Sequence, residues 1–337
     1  MISDKSGQAT GDITLITYHH RSPKGNSLRS LVTGAAGFIG SHLCETLLAA
    51  GHEVVGLDAF IPYYPRAIKE ANLTGLRANP HFTFHELDLR TDDLAPALEG
   101  VDTVFHLAAM GGLVLSWTRF DLYMTCNIQA TQRLLEATRQ SGSVSKFVYS
   151  STSSIYGSDV TGPETTTPHP VSPYGITKLA AEHLVQAYDR QFGISSTILR
   201  YFSVYGPRQR PDMGYYIFTD AILHGKPITV FGDGNQLRGN TYVTDVARAT
   251  LLAHDKFERG TVYNLGGSEE ISANQVISLL EEIIGKPAQV QYAPARPGEQ
   301  SRTLADTTLA QQRLGFVPQM SLRDGLTEQV RWQESES

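Results

Sequence analysis

Three observations predict an α/β fold: a parallel sheet with helices on both faces and a smaller mixed α/β second region. Apolar strands alternate with amphipathic helices through residues 27–206. A glycine-rich turn stands directly between the first strand and the first helix. After Gly206 the texture changes to turn-rich segments, PRQRPDM, GKP, FGDGNQLRGN and ARPGEQ, separated by shorter apolar runs. A chain of 337 residues, 41% hydrophobic with 30 glycines, is long enough for two cores of unequal size.

SLRSLVTG, 27–34, reads as a strand buried on both faces. In the following GAAGFIGSHLCETLLAAG, Phe38, Ile39, Leu43, Leu47 and Leu48 recur at helical spacing, and Gly51 is a stop. HEVVGLD gives a second strand ending at Asp58, HFTFHELDL a third and VDTVFHLAA a fourth. YMTCNIQATQRLLEATRQ predicts one long helix before KFVYSSTSS, the fifth strand. SPYGITKLAAEHLVQAYDRQ predicts a helix capped by Ser172 with Pro173 at its first position, and GISSTILRYFSVYG a sixth strand. These elements place a main domain over 28–206 and a second one mainly over 207–330, with segments around 240–270 returning to the first. Residues 1–27 form a polar extension and 331–337 a tail.

Lys and Arg number 28 against 34 Asp and Glu, a net charge of −6, which argues against nucleic acid or an anionic membrane as partner. Cys44 and Cys126 read as small buried hydrophobes in a reducing compartment. No stretch reaches the roughly 20 apolar residues of a membrane span, and nothing in 1–27 resembles a secretory signal. The expectation is a cytoplasmic enzyme. No His, Cys and carboxylate arrangement suggests a metal, and His106 at a strand end reads as structural.

Gly34, Gly37 and Gly40 form GxxGxxG between strand and helix, where small residues let backbone approach a pyrophosphate at the helix N-terminus. Asp58 closes the second strand, where a carboxylate holds a ribose 2′-hydroxyl. This combination predicts a Rossmann-type, doubly wound sheet that binds NAD rather than NADP, since a 2′-phosphate would face a like charge. Arg66 is too distant to reverse that preference, and Asp88 is placed to meet the adenine edge.

Tyr174 and Lys178, four apart on one helix, face one pocket. A nearby ammonium favours the phenolate, which makes Tyr174 a candidate base for a substrate alcohol, with Lys178 also holding the nicotinamide ribose. In the hydroxyl row YSSTSS, Thr152 is the expected partner of the same alcohol, and Ser150 and Ser151 finish the strand.

These motifs together resemble the extended short-chain dehydrogenase/reductases, and within them the NAD-dependent nucleotide-sugar epimerases. The matching pieces are TGAAGFIGSHL, HLAA, YSSTSSIYG, YGITK, RYFSVYGPRQRPDM and RPGE, in order across residues 28–330. The resemblance implies tightly held NAD, oxidation at a sugar C4, rotation of the 4-keto sugar and return of hydride to its other face. It assigns catalysis to Thr152, Tyr174 and Lys178. It assigns cofactor contacts to Gly34, Gly37, Phe38, Ile39, Gly40, Asp58, Asp88, Leu89, Ala108, Ala109, Tyr174, Lys178 and Tyr201. The grip on a nucleotide diphosphate falls to Arg238 and Arg296, and a homodimer built on two helices is implied.

Dehydratase relatives carry Asp and Glu at the positions of Ser153 and Ser154, and decarboxylase relatives a Glu at Ser154. The absence of an acid here points to simple epimerisation. Ser203 in RYFSVYGP resembles the hydroxyl of the UDP-glucuronate 4-epimerases, so Thr152, Ser153, Ser154 and Ser203 are expected to surround a sugar carboxylate and lead to UDP-galacturonate. Two departures stand out. GGLVLSW has Gly111 and Val114 where that branch carries Pro and Arg, and RGN has Gly239 and Asn240 where Asp and Phe are usual. A UDP-hexose 4-epimerase (glucose or N-acetylglucosamine), a UDP-glucuronate decarboxylase and a noncatalytic dinucleotide-binding scaffold remain alternatives.

Overall fold

The computed structural model describes residues 28–336 apart from 268, 297 and 299. The polar extension therefore lies outside the described residues, as do two positions of RPGE. Seven strands form the central sheet: β1 (Arg29–Thr33), β2 (Glu53–Asp58), β3 (Phe82–Glu86), β4 (Thr103–His106), β5 (Lys146–Thr152), β6 (Ser196–Tyr201) and β7 (Val262–Leu265). Their spatial order is β7, β6, β5, β4, β1, β2, β3, and every pairing is parallel. The chain starts in the middle and winds to each edge in turn, so a crevice opens between β1 and β4 at their carboxyl ends.

Helices cover both faces. α1 (Phe38–Ala49) packs with α6 (Val243–Asp255) over one, and α3 (Ala130–Ser141) with α4 (Pro173–Phe192) over the other. Alternation along the strands sorts the core: Val148, Leu199 and Tyr201 join the first layer, while Phe147, Tyr149 and Ile198 join the second.

Several details differ from the sequence expectations. A helix α2 (Arg66–Arg77) stands between β2 and β3, where none was expected. The single long helix over 123–140 is three pieces: a turn at Phe120–Tyr123, a π-helical segment Met124–Gln129, then α3. The sixth strand stops at Tyr201, because Ser203 adopts φ 34° and breaks the extended path before a short strand Val204–Tyr205. The segment 261–267 supplies β7 to the main sheet, while Asp159–Val160 leaves the first region to pair with Arg302–Thr303 in the smaller one.

That smaller region has a four-stranded sheet (Glu270–Ser272, Leu237–Gly239, Arg302–Thr303, Asp159–Val160) and a two-stranded one (Gln289–Ala293, Pro227–Phe231). Its core packs α5 (Gly214–His224), α7 (Ala273–Ile284) and α8 (Leu322–Ser335) around Ile222, Ile228, Val276, Leu280 and Leu326. Among the described residues no helix is long and apolar enough to cross a membrane.

Candidate active site

At the β1–α1 turn the site is made of backbone. Gly34, at φ 75°, donates its N–H to the Leu57 carbonyl at 2.7 Å and ties β1 to β2. A Cβ on Gly40 would stand 2.1 Å from the Gly34 carbonyl oxygen, and one on Gly34 would stand 2.9 Å from the Ala108 nitrogen. α1 begins at Phe38 with no side-chain cap, so the N–H groups of its first turn stay available to an anion.

The cleft beyond this turn is lined by Gly34, Gly37, Phe38, Ile39, Gly40, Asp58, Asp88, Leu89, Ala108 and Ala109, together with Lys69, Arg90, Ser150 and Arg210. Asp58 is buried, and its Oδ1 accepts from the Phe60 N–H at 2.8 Å and from Lys69 Nζ at 3.2 Å. Lys69 has no counterpart in the sequence reading, because the unexpected α2 brings it there. Arg66 is held by Glu86 at 2.7 and 2.6 Å and sits over the Phe60 ring. Asp88 is clasped by Arg90, whose guanidinium holds its carboxyl below the usual range. Tyr201 is turned away from the cleft: its hydroxyl pairs with Thr250 at 2.8 Å in the core against α6.

The sugar end is made of side chains. Ser172 caps α4 through the Gly175 N–H at 3.1 Å, and Gly175 is tight against the Ser154 carbonyl, 2.4 Å from where its Cβ would be. This contact seats the start of α4 on the 3₁₀ turn Ser153–Ile155. Thr152 caps that turn by accepting from the Ser154 N–H at 3.1 Å, and its hydroxyl favours the phenolate of Tyr174. Thr152, Ser153 and Ser154 are all buried. Ser203 follows Tyr201, which is paired with Thr152 across β5 and β6, so both hydroxyls lie at the same end of the sheet.

Burial pushes the Tyr174 phenol above its ordinary range, and Thr152 and the positive charge of Arg210 oppose that shift. Arg210 thus acts on Tyr174 as well as lining the cleft. Lys178 donates to the Ser150 carbonyl at 2.6 Å and lies 4.3 Å from the Tyr149 ring centroid. Its burial lowers it to about 7, against the pull of Glu182.

Arg210 belongs to RQRPDM, a motif quoted above without a role for this residue. It forks onto Asp212 at 2.9 Å, and Asp212 also accepts from Tyr63 at 2.8 Å. Its Nη1 lies 2.7 Å from the place a Gly111 Cβ would take, so a larger residue there would have to displace the guanidinium. Val114, the second departure, is 53% exposed.

Asn127, in the π-helical segment, was also missed. It accepts from the Met110 N–H at 2.7 Å and donates to Thr177 at 3.0 Å, which ties the loop after β4 to α4. His106 sits between Thr33 at 2.7 Å and Thr131 at 2.9 Å, and burial lowers it to about 3, which suits a neutral structural imidazole.

In the smaller region, Arg238 donates to the Gln300 carbonyl at 2.6 Å, and Arg296 stacks 3.3 Å over Phe231. Gly239 rests on Leu304, and Asn240 joins Arg238 to Tyr215 by bonds of 2.9 and 2.8 Å. Among the described residues no group of three His, Cys, Asp or Glu side chains could hold a metal.

A family model for NAD dependent epimerases and dehydratases matches residues 30–266. An uncharacterized UDP-glucose epimerase, YtcB, of Bacillus subtilis is 47% identical over 313 residues, covering 91% of this chain and 98% of that protein. A UDP-glucuronate 4-epimerase of Thermodesulfobacterium geofontis is 36% identical over 307 residues, with 90% and 95% covered. The crystal structure of the UDP-glucuronic acid 4-epimerase of Bacillus cereus, in complex with UDP-glucuronic acid and NAD, superposes with a TM-score of 0.89. It is 44% identical and covers 92% of this chain and 100% of that one.

Proposed function

The chain belongs to the NAD dependent epimerase/dehydratase family, and we propose that it is a UDP-glucuronate 4-epimerase that forms UDP-galacturonate through a 4-keto intermediate. The observation that carries this reading is the buried turn Thr152, Ser153 and Ser154, seated against Tyr174 with no carboxylate in it. Such a turn handles a C4 alcohol and offers hydroxyls to an acidic sugar, but holds no group for proton chemistry at C5. The substrate named for the Bacillus cereus structure supports the same choice.

NAD fits the cleft: a β1–α1 turn stripped of side chains for the pyrophosphate, and Asp58 for the ribose. When bound, NAD accepts hydride from the sugar C4 and returns it. The protein's part is proton transfer and grip. Tyr174 takes the C4 hydroxyl proton, Thr152 holds the same oxygen, and Arg210 supports the phenolate. Lys178 holds the cofactor ribose. Ser153, Ser154 and Ser203 donate to the uronate, and Arg238 and Arg296 to the diphosphate. A homodimer belongs to this reading, since Trp117, Phe120, Met124 and Ile176 are exposed on elements packed beside one another.

A second reading, UDP-glucose 4-epimerase, is favoured by the name of the Bacillus subtilis relative and by Val114 in place of a cation. Purified protein offered UDP-glucuronate, UDP-glucose and UDP-N-acetylglucosamine without added NAD, followed by product identification, tests the choice. Exclusive conversion of a neutral sugar overturns the uronate assignment.

A further inference from the structure

The helix that carries Tyr174 and Lys178 carries another buried polar residue one turn further on. Residues 174, 178 and 182 recur at a spacing of four and share a face of α4. Glu182 is 1% exposed and takes a two-pronged grip from Arg200 of β6, with Nε to Oε1 at 3.1 Å and Nη2 to Oε2 at 2.9 Å. The free end of Arg200 donates to the Tyr156 hydroxyl at 2.5 Å and to the Glu164 carbonyl at 3.0 Å. Tyr156 in turn donates to Asn264 of β7 at 2.8 Å, and the Asn264 N–H donates to the Glu164 carboxylate at 2.8 Å. One chain of buried bonds thus joins the active-site helix, two strands and the residue that ends the turn bearing Ser153 and Ser154.

We propose that Glu182 and Arg200 are positioning residues: they fix α4 against the hydroxyl turn and give Lys178 its facing negative charge. This rests on the roles given above to Tyr174 and Lys178. A buried ion pair is weak as a source of stability, since well-packed apolar residues often do as well, whereas its fork geometry specifies one alignment. The groups facing Lys178 are the Ser150 carbonyl and Tyr149 ring from β5, His106 from β4, and Tyr174 and Glu182 on its own helix. His106 is neutral, so Glu182 is the negative charge among them. Burial brings the Lys178 ammonium to about 7 while Glu182 works upward. With Glu182 neutralised and Arg200 left uncompensated, the ammonium is lost at lower pH.

The test compares NAD-loaded wild type, Glu182→Gln and Tyr156→Phe for kcat and KM, and follows the Lys178 ammonium by NMR across pH. Glu182→Gln is expected to lower kcat by about ten- to a hundredfold, as misplaced catalytic groups do, and to move the Lys178 titration to lower pH. Tyr156→Phe, which keeps the charge pair but cuts the link to Asn264, is expected to raise KM and leave that titration in place. A folded Glu182→Gln with an unmoved titration and kcat within about twofold of wild type overturns the proposal. A lower melting temperature as its only change does the same, and an unchanged KM in Tyr156→Phe removes the link to the turn. Should Glu182→Gln not fold, Glu182→Asp, which keeps the charge on a shorter reach, must lower kcat and keep the titration; wild-type kcat there overturns the alignment role. The NMR titration needs no turnover. It therefore separates failure of the positioning pair from failure of the assigned reaction.

Discussion

The two ends of the cleft are built from different material. At the dinucleotide end the shape comes from main chain and from missing Cβ atoms: Gly34 and Gly40 lie against carbonyl and amide groups that cannot step aside. At the sugar end it comes from polar and charged side chains, Thr152 on the Ser154 N–H, Arg210 on Asp212, Lys178 on the Ser150 carbonyl. The first end is rigid, so a substitution there either fits or does not. The second is electrostatically coupled, so substitutions there should give graded effects that depend on pH.

The largest effect is expected from the group that bridges the two ends. Tyr174→Phe removes the proposed base while keeping its ring against Tyr123 and Met110. It should lower kcat by about 10² to 10⁴-fold, the range of a lost general base, with NAD retained. Wild-type turnover in a folded, NAD-loaded variant would assign the proton transfer elsewhere. Next comes Gly40→Ala. Its Cβ would press 2.1 Å from the Gly34 carbonyl oxygen, so α1 must shift. Overpacking of about 1 to 3 kcal/mol should appear as loss of co-purified NAD and a lower melting temperature, with the pH profile of any remaining activity unmoved. NAD content equal to wild type would show that the turn yields more than its backbone contacts allow.

The same contrast explains what could be read without a structure. The strand, glycine turn, helix and Asp58 are local in sequence, and the residues read there line one cleft. Tyr174 and Lys178 were legible because helical spacing alone puts them together. Arg210 and Gly111 are 99 positions apart and meet only because the chain leaves β6 at Ser203 and folds back over the loop after β4. The motif RQRPDM was visible, yet nothing local says which of its arginines turns inward. Lys69 was hidden because α2 was not anticipated, and Asn127 because a π-helical segment was read as ordinary helix. Tyr201 is a different case: it is carried over by resemblance, and its side chain points into the core, since alternation along β6 sends it to the face opposite Arg200.

Arg210→Gln tests whether the sugar end is as coupled as its geometry suggests. The guanidinium opposes the upward push of burial on Tyr174. Without it the phenol is held higher, so the ionised base forms only at higher pH. The acidic limb of kcat should then move to higher pH, with activity lost most at low pH and partly recovered at high pH. An equal loss at every pH would make Arg210 a steric or binding contact instead, and would leave Thr152 as the remaining support of the phenolate.

The smallest effect, and the most specific to substrate, concerns what the hydroxyls restrain. Oxidation at C4 of a uronate gives a β-keto acid, which loses carbon dioxide most readily when the bond to the carboxylate aligns with the carbonyl π system. Ser153 and Ser154 are buried at the start of a 3₁₀ turn that Thr152 caps, so their short side chains project from a backbone that is held in place. Donors fixed in this way can keep the carboxylate out of alignment and its charge localised. Ser153→Ala and Ser154→Ala should each lower turnover modestly, by about tenfold or less, as for one neutral hydrogen bond. They should also raise the ratio of pentose to epimer product, read by chromatography of the nucleotide sugars after complete conversion. Slower variants that never form more pentose would mean that the turn binds the acid without restraining it. Protection from decarboxylation would then have to come from the speed of hydride return alone.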